Sequence, residues 1–500
     1  MLKKSNIFAA LKLLSREMLN TRFILLVLGL LLVVEGVFML LSAGVAMLYG
    51  EYDMPYHLIS AAVCIALGGT VGLSLRKAPK DIGKREGYLI VASVWIVFSF
   101  FGLLPFWLSG AIPSYTDAFF ETISGFTTTG SSILNDIEAL PHGLLFWRSL
   151  IQWLGGMGII VLSLAILPVL GVGGMQMFIA EVPGPAPDKL HPRITETAKR
   201  LYGIYVLFTF VEAILLIFGG MTPFDAICHS FTTMATGGYS TKQASVAYFA
   251  SPYIQYVIIL FMFIAGANFT LSFSALRGKV KKVIKDEEFQ AYAGIIIGVS
   301  TLVAVVLYFT EGTLGIEKAW RDGLFQVVSI ITTTGYATAD YLMWVPFLSI
   351  VIFLLMFTGG SAGSTGGGIK IVRIVLLMKN SFFELKRLVH PNAVIPVRYN
   401  TRAVNPSIIT NVLAFIVIYM MTVGLAMIIM SIMGYDLDTA LGAVATSIGN
   451  IGPGLGEVGP ALNFYEVPNF GKWFLSFLML IGRLELFTVI LLFSPYFWKE

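Results

Sequence analysis

Charge is what this sequence has least of. Only 12% of its 500 residues are Asp, Glu, Lys or Arg, about half the share of an ordinary soluble domain, while 57% are hydrophobic and the mean hydropathy is +0.82. Apolar runs of about twenty residues, the length a helix needs to cross roughly 30 Å of hydrocarbon, recur from Phe23 almost to the C-terminus. They leave no room for a soluble catalytic domain. Cysteine is nearly missing too: Cys64 and Cys228 both lie in apolar surroundings, read as packing residues, and give no basis for a disulfide framework or a metal site. There is no GxxxxGK[ST] phosphate loop, and GGGIK at 366–370 lacks the spacing and the strand of a nucleotide site. His57, His142, His191, His229 and His390 are scattered, which disfavours an intramembrane enzyme built on a nucleophile and base or on a metal cluster.

The positive charges that are present are unevenly placed. The run from Phe23 to Tyr49 follows a basic N-terminus but exceeds a secretory signal in length and lacks a convincing cleavage site, so it reads as a retained helix. Alternate loops, at 1–22, 76–85, 171–200, 277–288, 369–406 and the C-terminal end, hold 5, 5, 4, 5, 7 and 1 Lys or Arg, 27 of the 33. The opposite loops hold only Lys242, Lys318, Arg321 and Lys472. Positive loops stay inside, so both termini of a multi-pass membrane protein are expected in the cytoplasm, and no nucleic-acid partner is needed to explain them. Arg148 and Arg483 fall within apolar segments. Arg148, beside Trp147 and Trp153, reads as a side chain snorkelling to the interface.

After a first hairpin (about 23–49 and 57–75), the apolar segments pair as 88–109 with 144–170, 201–219 with 253–276, 291–310 with 342–390, and 407–432 with 471–493. Between the members of each pair lies a stretch too short to cross. The four short stretches run from Asp117 to Gly130, Asp225 to Gly237, Asp322 to Gly335 and Asp438 to Gly452, spacings of 13, 12, 13 and 14 residues. Each predicts a half-helix begun near an Asp, which caps free amides and suits the positive helix end, and stopped by a polar loop containing glycine. A single Thr-Gly pair would be read as small residues packing at a helix crossing; four copies with the same topology point to a built feature. The expected fold is an all-α polytopic membrane protein: an N-terminal segment and hairpin (1–86) and four pseudo-symmetric repeats of helix, pore helix, filter loop and helix (87–200, 201–290, 291–406, 407–500) around one central pore.

Irregular backbone at membrane depth is tolerated where it lines a watery cavity. Half-helices entering from outside aim their C-termini, with partial negative charge, at the centre and favour a cation there, and loop carbonyls can replace its hydration shell. The candidate ion-binding residues are Thr128, Thr129 and Gly130; Ala235, Thr236 and Gly237; Thr333, Thr334 and Gly335; and Asn450, Ile451 and Gly452. The fourth filter has Asn450 and Ile451 where others have Thr, followed by Pro453, so the pore cannot be truly fourfold. The stretch 358–368, TGGSAGSTGGG, sits inside an apolar segment and holds Gly359, Gly360, Gly363, Gly366, Gly367 and Gly368. At roughly 1 kcal/mol per glycine relative to alanine, a continuous helix there is costly. A broken helix around a loop, or a tight helix crossing, remain the two readings. Arg483, in the middle of the last segment, is either paired with polar backbone of another repeat or placed at the pore; Glu485, two residues on, faces elsewhere on a helix.

DAFFETISGFTTTG, FTTMATGGYST, ITTTGYATADY and ATSIGNIGPGLG resemble the four filters of the bacterial Trk/Ktr potassium transporters, and the resemblance extends over essentially the whole chain. Length and the extra hairpin are more like the TrkH branch. The resemblance implies potassium as the transported substrate with no organic cofactor, since a glycine stands in every filter; an intramembrane gate at 358–368 with Arg483 beside it; a homodimer; and a cytosolic, TrkA-like nucleotide-binding regulatory subunit. A proton- or sodium-coupled secondary transporter is the competing class. It predicts inverted repeats, whereas all four repeats here share one orientation.

Overall fold

The computed structural model describes residues 19–79, 83–169, 194–312 and 315–498. The basic N-terminal stretch and most of the expected loop 171–200, with His191, lie outside them. Among the described residues, six helices are long and apolar enough to cross a membrane, or eight when two sharply bent pairs are each taken as one span. The one sheet among the described residues is a two-residue antiparallel pairing of Arg398–Tyr399 with Arg402–Ala403.

Helices α1 (Thr21–Tyr49) and α2 (Met54–Ser74) form the hairpin. Asn20 caps α1 by accepting from the Phe23 amide (3.1 Å), and Gly50, at φ 67°, ends it in the left-handed conformation. Gly29, Gly36 and Gly68 let the two backbones touch: a Cβ on any of them would strike the partner helix.

The four repeats follow. The first has α3 (Lys84–Gly102), the short α4 (Leu104–Leu108), the half-helix α5 (Tyr115–Phe126) and α6 (His142–Val169). The second has α7 (Ile194–Phe218), the half-helix α8 (Pro223–Met234) and the pair α9 (Pro252–Gly266) and α10 (Phe269–Leu276), followed by the short helix α11 (Val280–Ile284). The third has α12 (Glu287–Thr310), the half-helix α13 (Ile316–Ile331), α14 (Pro346–Leu355) and α15 (Ile371–Val389); the fourth has α16 (Pro406–Ile432), the half-helix α17 (Leu437–Gly449), α18 (Asn469–Arg483) and α19 (Leu486–Phe493). Proline opens α8, α9, α14 and α16, where its missing amide proton leaves no bond unmade.

Two expectations about these helices are corrected. The segments 253–276 and 471–493 are not single helices: α9 and α10 meet at 111°, and α18 and α19 at 117°. At the first break Asn268 restarts the helix by capping the Thr270 amide (2.8 Å); at the second Glu485 takes φ 58°. The aspartates, too, are not the caps of the half-helices. Ser114 and Thr222 cap α5 and α8, accepting from the amides of Asp117 (3.3 Å) and Asp225 (3.1 Å), while Asp322 lies inside α13. Asp117 instead pairs with Lys472 of the fourth repeat at 2.6 Å, tying the first half-helix to α18.

Most of the apolar core lies in two large clusters, beside a small one between α1 and α3 and another between α15 and α16. One large cluster joins the hairpin with the first and fourth repeats and Ile369 of the third, the other joins the second and third, with Ala445 and Ile451 reaching into it from the fourth.

Candidate functional site: a ring of four filter turns over a glycine loop

Each half-helix ends in the same way. Thr128, Thr236, Thr333 and Asn450 take left-handed φ values of 53°, 53°, 58° and 53°. The following amide then donates back five residues: Thr129 to Ser124 (2.8 Å), Gly237 to Thr232 (2.9 Å), Thr334 to Ser329 (2.8 Å) and Ile451 to Thr446 (3.0 Å). This is the Schellman closure, which satisfies the carbonyls left over at a helix end. Glycine is the usual occupant of its left-handed position; threonine or asparagine there holds roughly 1 kcal/mol or more of strain.

The next left-handed residue in each turn is a glycine: Gly130 (φ 85°), Gly238 (74°), Gly335 (82°) and Gly452 (107°). The second repeat is therefore in register at Gly238, one residue later than the sequence count placed it. Gly237 takes the position of Thr129, Thr334 and Ile451. The four glycines close into a ring. A Cβ on Gly130 would run into the carbonyl oxygen of Gly237, one on Gly238 into that of Thr334, one on Gly335 into that of Ile451, all well inside 3.0 Å, and one on Gly452 would lie 3.1 Å from that of Thr129. Any side chain here pushes on the carbonyls of the neighbouring repeat, in the cyclic order one, two, three, four, one. All four glycines line one open funnel on one side of the ring. The helix ends meeting there carry about half a negative charge each, the field a cation needs.

The ring is nearer twofold than fourfold in its side chains. Thr127 and Thr129 share a hydrogen bond at 2.8 Å, as do Thr332 and Thr334, whereas the second repeat has Ala235 and Gly237 in those places and the fourth has Gly449 and Ile451. Asn450 crosses to the first repeat, donating to Thr129 Oγ1 (2.9 Å), and within its own repeat donates to the Met479 carbonyl (3.0 Å).

Arg148 is not at an interface with solvent; the snorkelling expectation is overturned. It is 2% exposed, pairs with the fully buried Glu121 at 2.7 Å, donates to the Ser240 carbonyl (2.9 Å) and stacks 3.5 Å above the Tyr239 ring. Glu121 also accepts from the Ile133 amide (2.9 Å) and Ser132 Oγ (3.1 Å). Its partner lies 27 residues away on a different helix, so no local pattern announces it.

Directly beneath the ring, no helix spans the stretch between Leu355 and Ile371. The chain 358–368 packs against parts of the second, third and fourth repeats. Gly366 abuts the Thr332 carbonyl, Gly367 abuts Gly449 and Asn450, and the Gly367 amide donates to Thr333 Oγ1 (2.7 Å). Thr365 Oγ1 donates to the carbonyls of Met234 (3.0 Å) and Ala265 (3.3 Å), and Gly360 lies against Gly266. Gly359, Gly363 and Gly368 all have φ between 73° and 75°. Arg483, 4% exposed, reaches the Thr365 carbonyl (2.7 Å) and the Gly155 carbonyl (3.2 Å). Glu485, turned by the break, pairs with Arg373. Two further contacts were not read from the sequence: Glu288 accepts from the Ala362 amide (2.6 Å), and Lys370 donates to the Gly366 carbonyl.

The family described as "TrkH: Cation transport protein" matches residues 55–499. The chain is 43% identical over 485 residues to the Trk system potassium uptake protein TrkH of Salmonella typhimurium, covering 96% of this chain and 100% of that protein. It is 32% identical over 475 residues to the Trk system potassium uptake protein TrkG of Escherichia coli, covering 94% and 97%. It is also similar to the crystal structure of the potassium transporter TrkH from Vibrio parahaemolyticus, with 40% identity, a TM-score of 0.87 and coverage of 96% and 100%.

Proposed function

The chain belongs to the TrkH family of cation transport proteins, and from that premise we propose that it takes up potassium across a bacterial inner membrane through the ring of Gly130, Gly238, Gly335 and Gly452. The observation that carries this reading is the cyclic closure: each glycine lies against a carbonyl of the next repeat, so four chain segments make one opening, at the floor of one funnel. Carbonyls held at such a ring replace the water of a dehydrated monovalent cation. The ion is the cargo and the chain uses no organic cofactor.

The stretch 358–368 is the gate. It lies against the inner side of the ring, its glycines adopt conformations other residues resist, and Arg483 holds it by a carbonyl. The basic loops face the cytoplasm together with both termini, and a TrkA-like nucleotide-binding subunit docks there on a homodimer of the membrane chain. Four repeats of one orientation support a fixed pore rather than rocking inverted halves.

The test is cation flux into liposomes holding only the purified chain, under potassium, sodium or N-methylglucamine gradients, with and without a proton gradient. Downhill potassium flux indifferent to protons and exceeding sodium flux is the expected result. Strict dependence on a proton or sodium gradient would make the chain a coupled transporter instead.

A further inference from the structure

Two of the four filter glycines are followed by tyrosine: Gly238 by Tyr239 and Gly335 by Tyr336. Both rings are fully buried, and both hydroxyls reach across a seam into the preceding repeat. Tyr239 donates to the carbonyl of Glu121 (2.7 Å) and to that of Ser131 (3.2 Å). Tyr336 donates to the carbonyl of His229 (3.1 Å) and shares a hydrogen bond with Thr232 Oγ1 (2.5 Å). Glu121 and His229 are equivalent positions, each nine residues before the filter glycine of its own repeat (130 − 121 and 238 − 229). Two repeats with different sequences thus make the same contact in the same place.

Both acceptors are themselves anchored. Glu121 is held by Arg148, whose guanidinium lies over the Tyr239 ring, and His229 is fixed at both nitrogens, by the Asp225 carbonyl (2.7 Å) and Ser240 Oγ (2.9 Å). Gln152 completes the first seam, accepting from the Tyr239 amide (3.1 Å) and donating to the Gly237 carbonyl (2.7 Å). The other two seams have no tyrosine at this position. Ser131 donates to the Gly452 carbonyl (3.2 Å), and Pro453 has no hydroxyl to offer, its seam being closed from the side by Tyr341 on the Gly454 carbonyl (2.7 Å).

We propose that Tyr239 and Tyr336 are specificity-determining struts, which set the separation of adjacent repeats and so hold the ring too wide for its carbonyls to close around sodium. The proposal rests on the reading of the ring as a potassium filter. A strut differs from a mere packing residue in what its loss changes. Packing loss lowers potassium and sodium flux together with folded yield. Loss of a strut lets the ring contract and raises sodium flux relative to potassium.

The experiment is the potassium-to-sodium flux ratio in liposomes for the wild-type chain, Tyr239→Phe, Tyr336→Phe and, as a surface control, Tyr253→Phe, whose side chain is half exposed. Phenylalanine keeps the ring and removes only the hydroxyl. With one hydroxyl at stake in each seam, the ratio is expected to fall about fivefold in each strut variant, further in the double variant, and not at all in the control. Thr232→Val breaks the Tyr336 contact from its other side and is read the same way should a phenylalanine variant fail to reconstitute. A selective wild type with strut variants of unchanged ratio overturns the struts while leaving the filter standing. A wild type that conducts both ions equally overturns the filter and the struts with it.

Discussion

The filter ring and the loop beneath it are made of the same small, polar residues, but the ring is closed by its own backbone and the loop by side chains from elsewhere. In the ring, each turn is completed by an amide bonding five residues back in the same repeat, with buried pairs such as Arg148–Glu121 bracing it from behind. The stretch 358–368 has few such internal bonds. It is fastened instead by Arg483, Thr333, Glu288 and Lys370 and by carbonyls of the second repeat, with Arg483 also reaching the Gly155 carbonyl of the first. A closure built into the local fold persists as long as the fold does. A closure made by a handful of side chains on separate helices is released when any of those helices moves. The second helices of the second, third and fourth repeats are all interrupted at this depth, which gives them the joints for such a movement, whereas α6 of the first repeat runs unbroken.

The contrast can be broken most severely from behind the ring. Arg148→Ala leaves the Glu121 carboxylate buried and unpaired, a change that costs about 3–5 kcal/mol; thermal unfolding of the detergent-solubilised protein should show a large drop, far exceeding that of Lys472→Ala, whose partner Asp117 is 15% exposed. Equal stability of the two variants would remove Arg148 from the account. Next comes the register of the second filter. Gly238→Ala places a Cβ against the Thr334 carbonyl at a φ that resists side chains, while the obstacle at Gly237 is the movable Gln152 amide. Potassium flux should fall about tenfold or more in Gly238→Ala, from the conformational penalty alone, and less in Gly237→Ala; the reverse order would restore the earlier register.

A change to the loop should act in the opposite direction. Arg483→Gln removes charge-assisted bonds to Thr365 and Gly155, each worth about 1.5–3 kcal/mol, and so should raise downhill flux of the isolated chain by roughly tenfold or more. Unchanged flux from a folded variant would show that the arginine does not hold the gate. The smallest effect is expected at Thr128→Gly, where relief of left-handed strain and the greater freedom of glycine in the unfolded chain nearly cancel, leaving stability within about 1 kcal/mol of wild type. A large loss would mean that the threonine side chain itself supports the turn.

Much of this architecture was legible because the repeat is written four times: a half-helix too short to span, ending in Thr-Gly or its relatives, between two long apolar runs. Composition alone argued against a continuous helix through 358–368. The errors came where the deciding partner is remote or the local signal is double. Arg148 looked like an interfacial residue because Trp147 and Trp153 are beside it in sequence, while Glu121 is not. The second filter carries Gly237 and Gly238 together, and only the spacing of 13 from Asp225, matching the first and third repeats, would have chosen the later one. Of the unexpected helix breaks, that after Gly266 has a readable sign in Asn268, a good capping residue. The break at Glu485 has none, for the carboxylate is drawn out of the helix by Arg373, 112 residues away.

The claim that ions cross at the four-glycine ring is tested most directly by blocking its funnel. Cys64 and Cys228 are buried, so a single introduced thiol is the one a positively charged methanethiosulfonate reagent would meet. Leu462 lines the funnel and is 60% exposed, while Met343, 82% exposed, is not among the funnel residues. Labelled Leu462→Cys should lose most of its potassium flux and labelled Met343→Cys should keep it. Full flux through the labelled funnel, or equal loss at both positions, would contradict a single central pore.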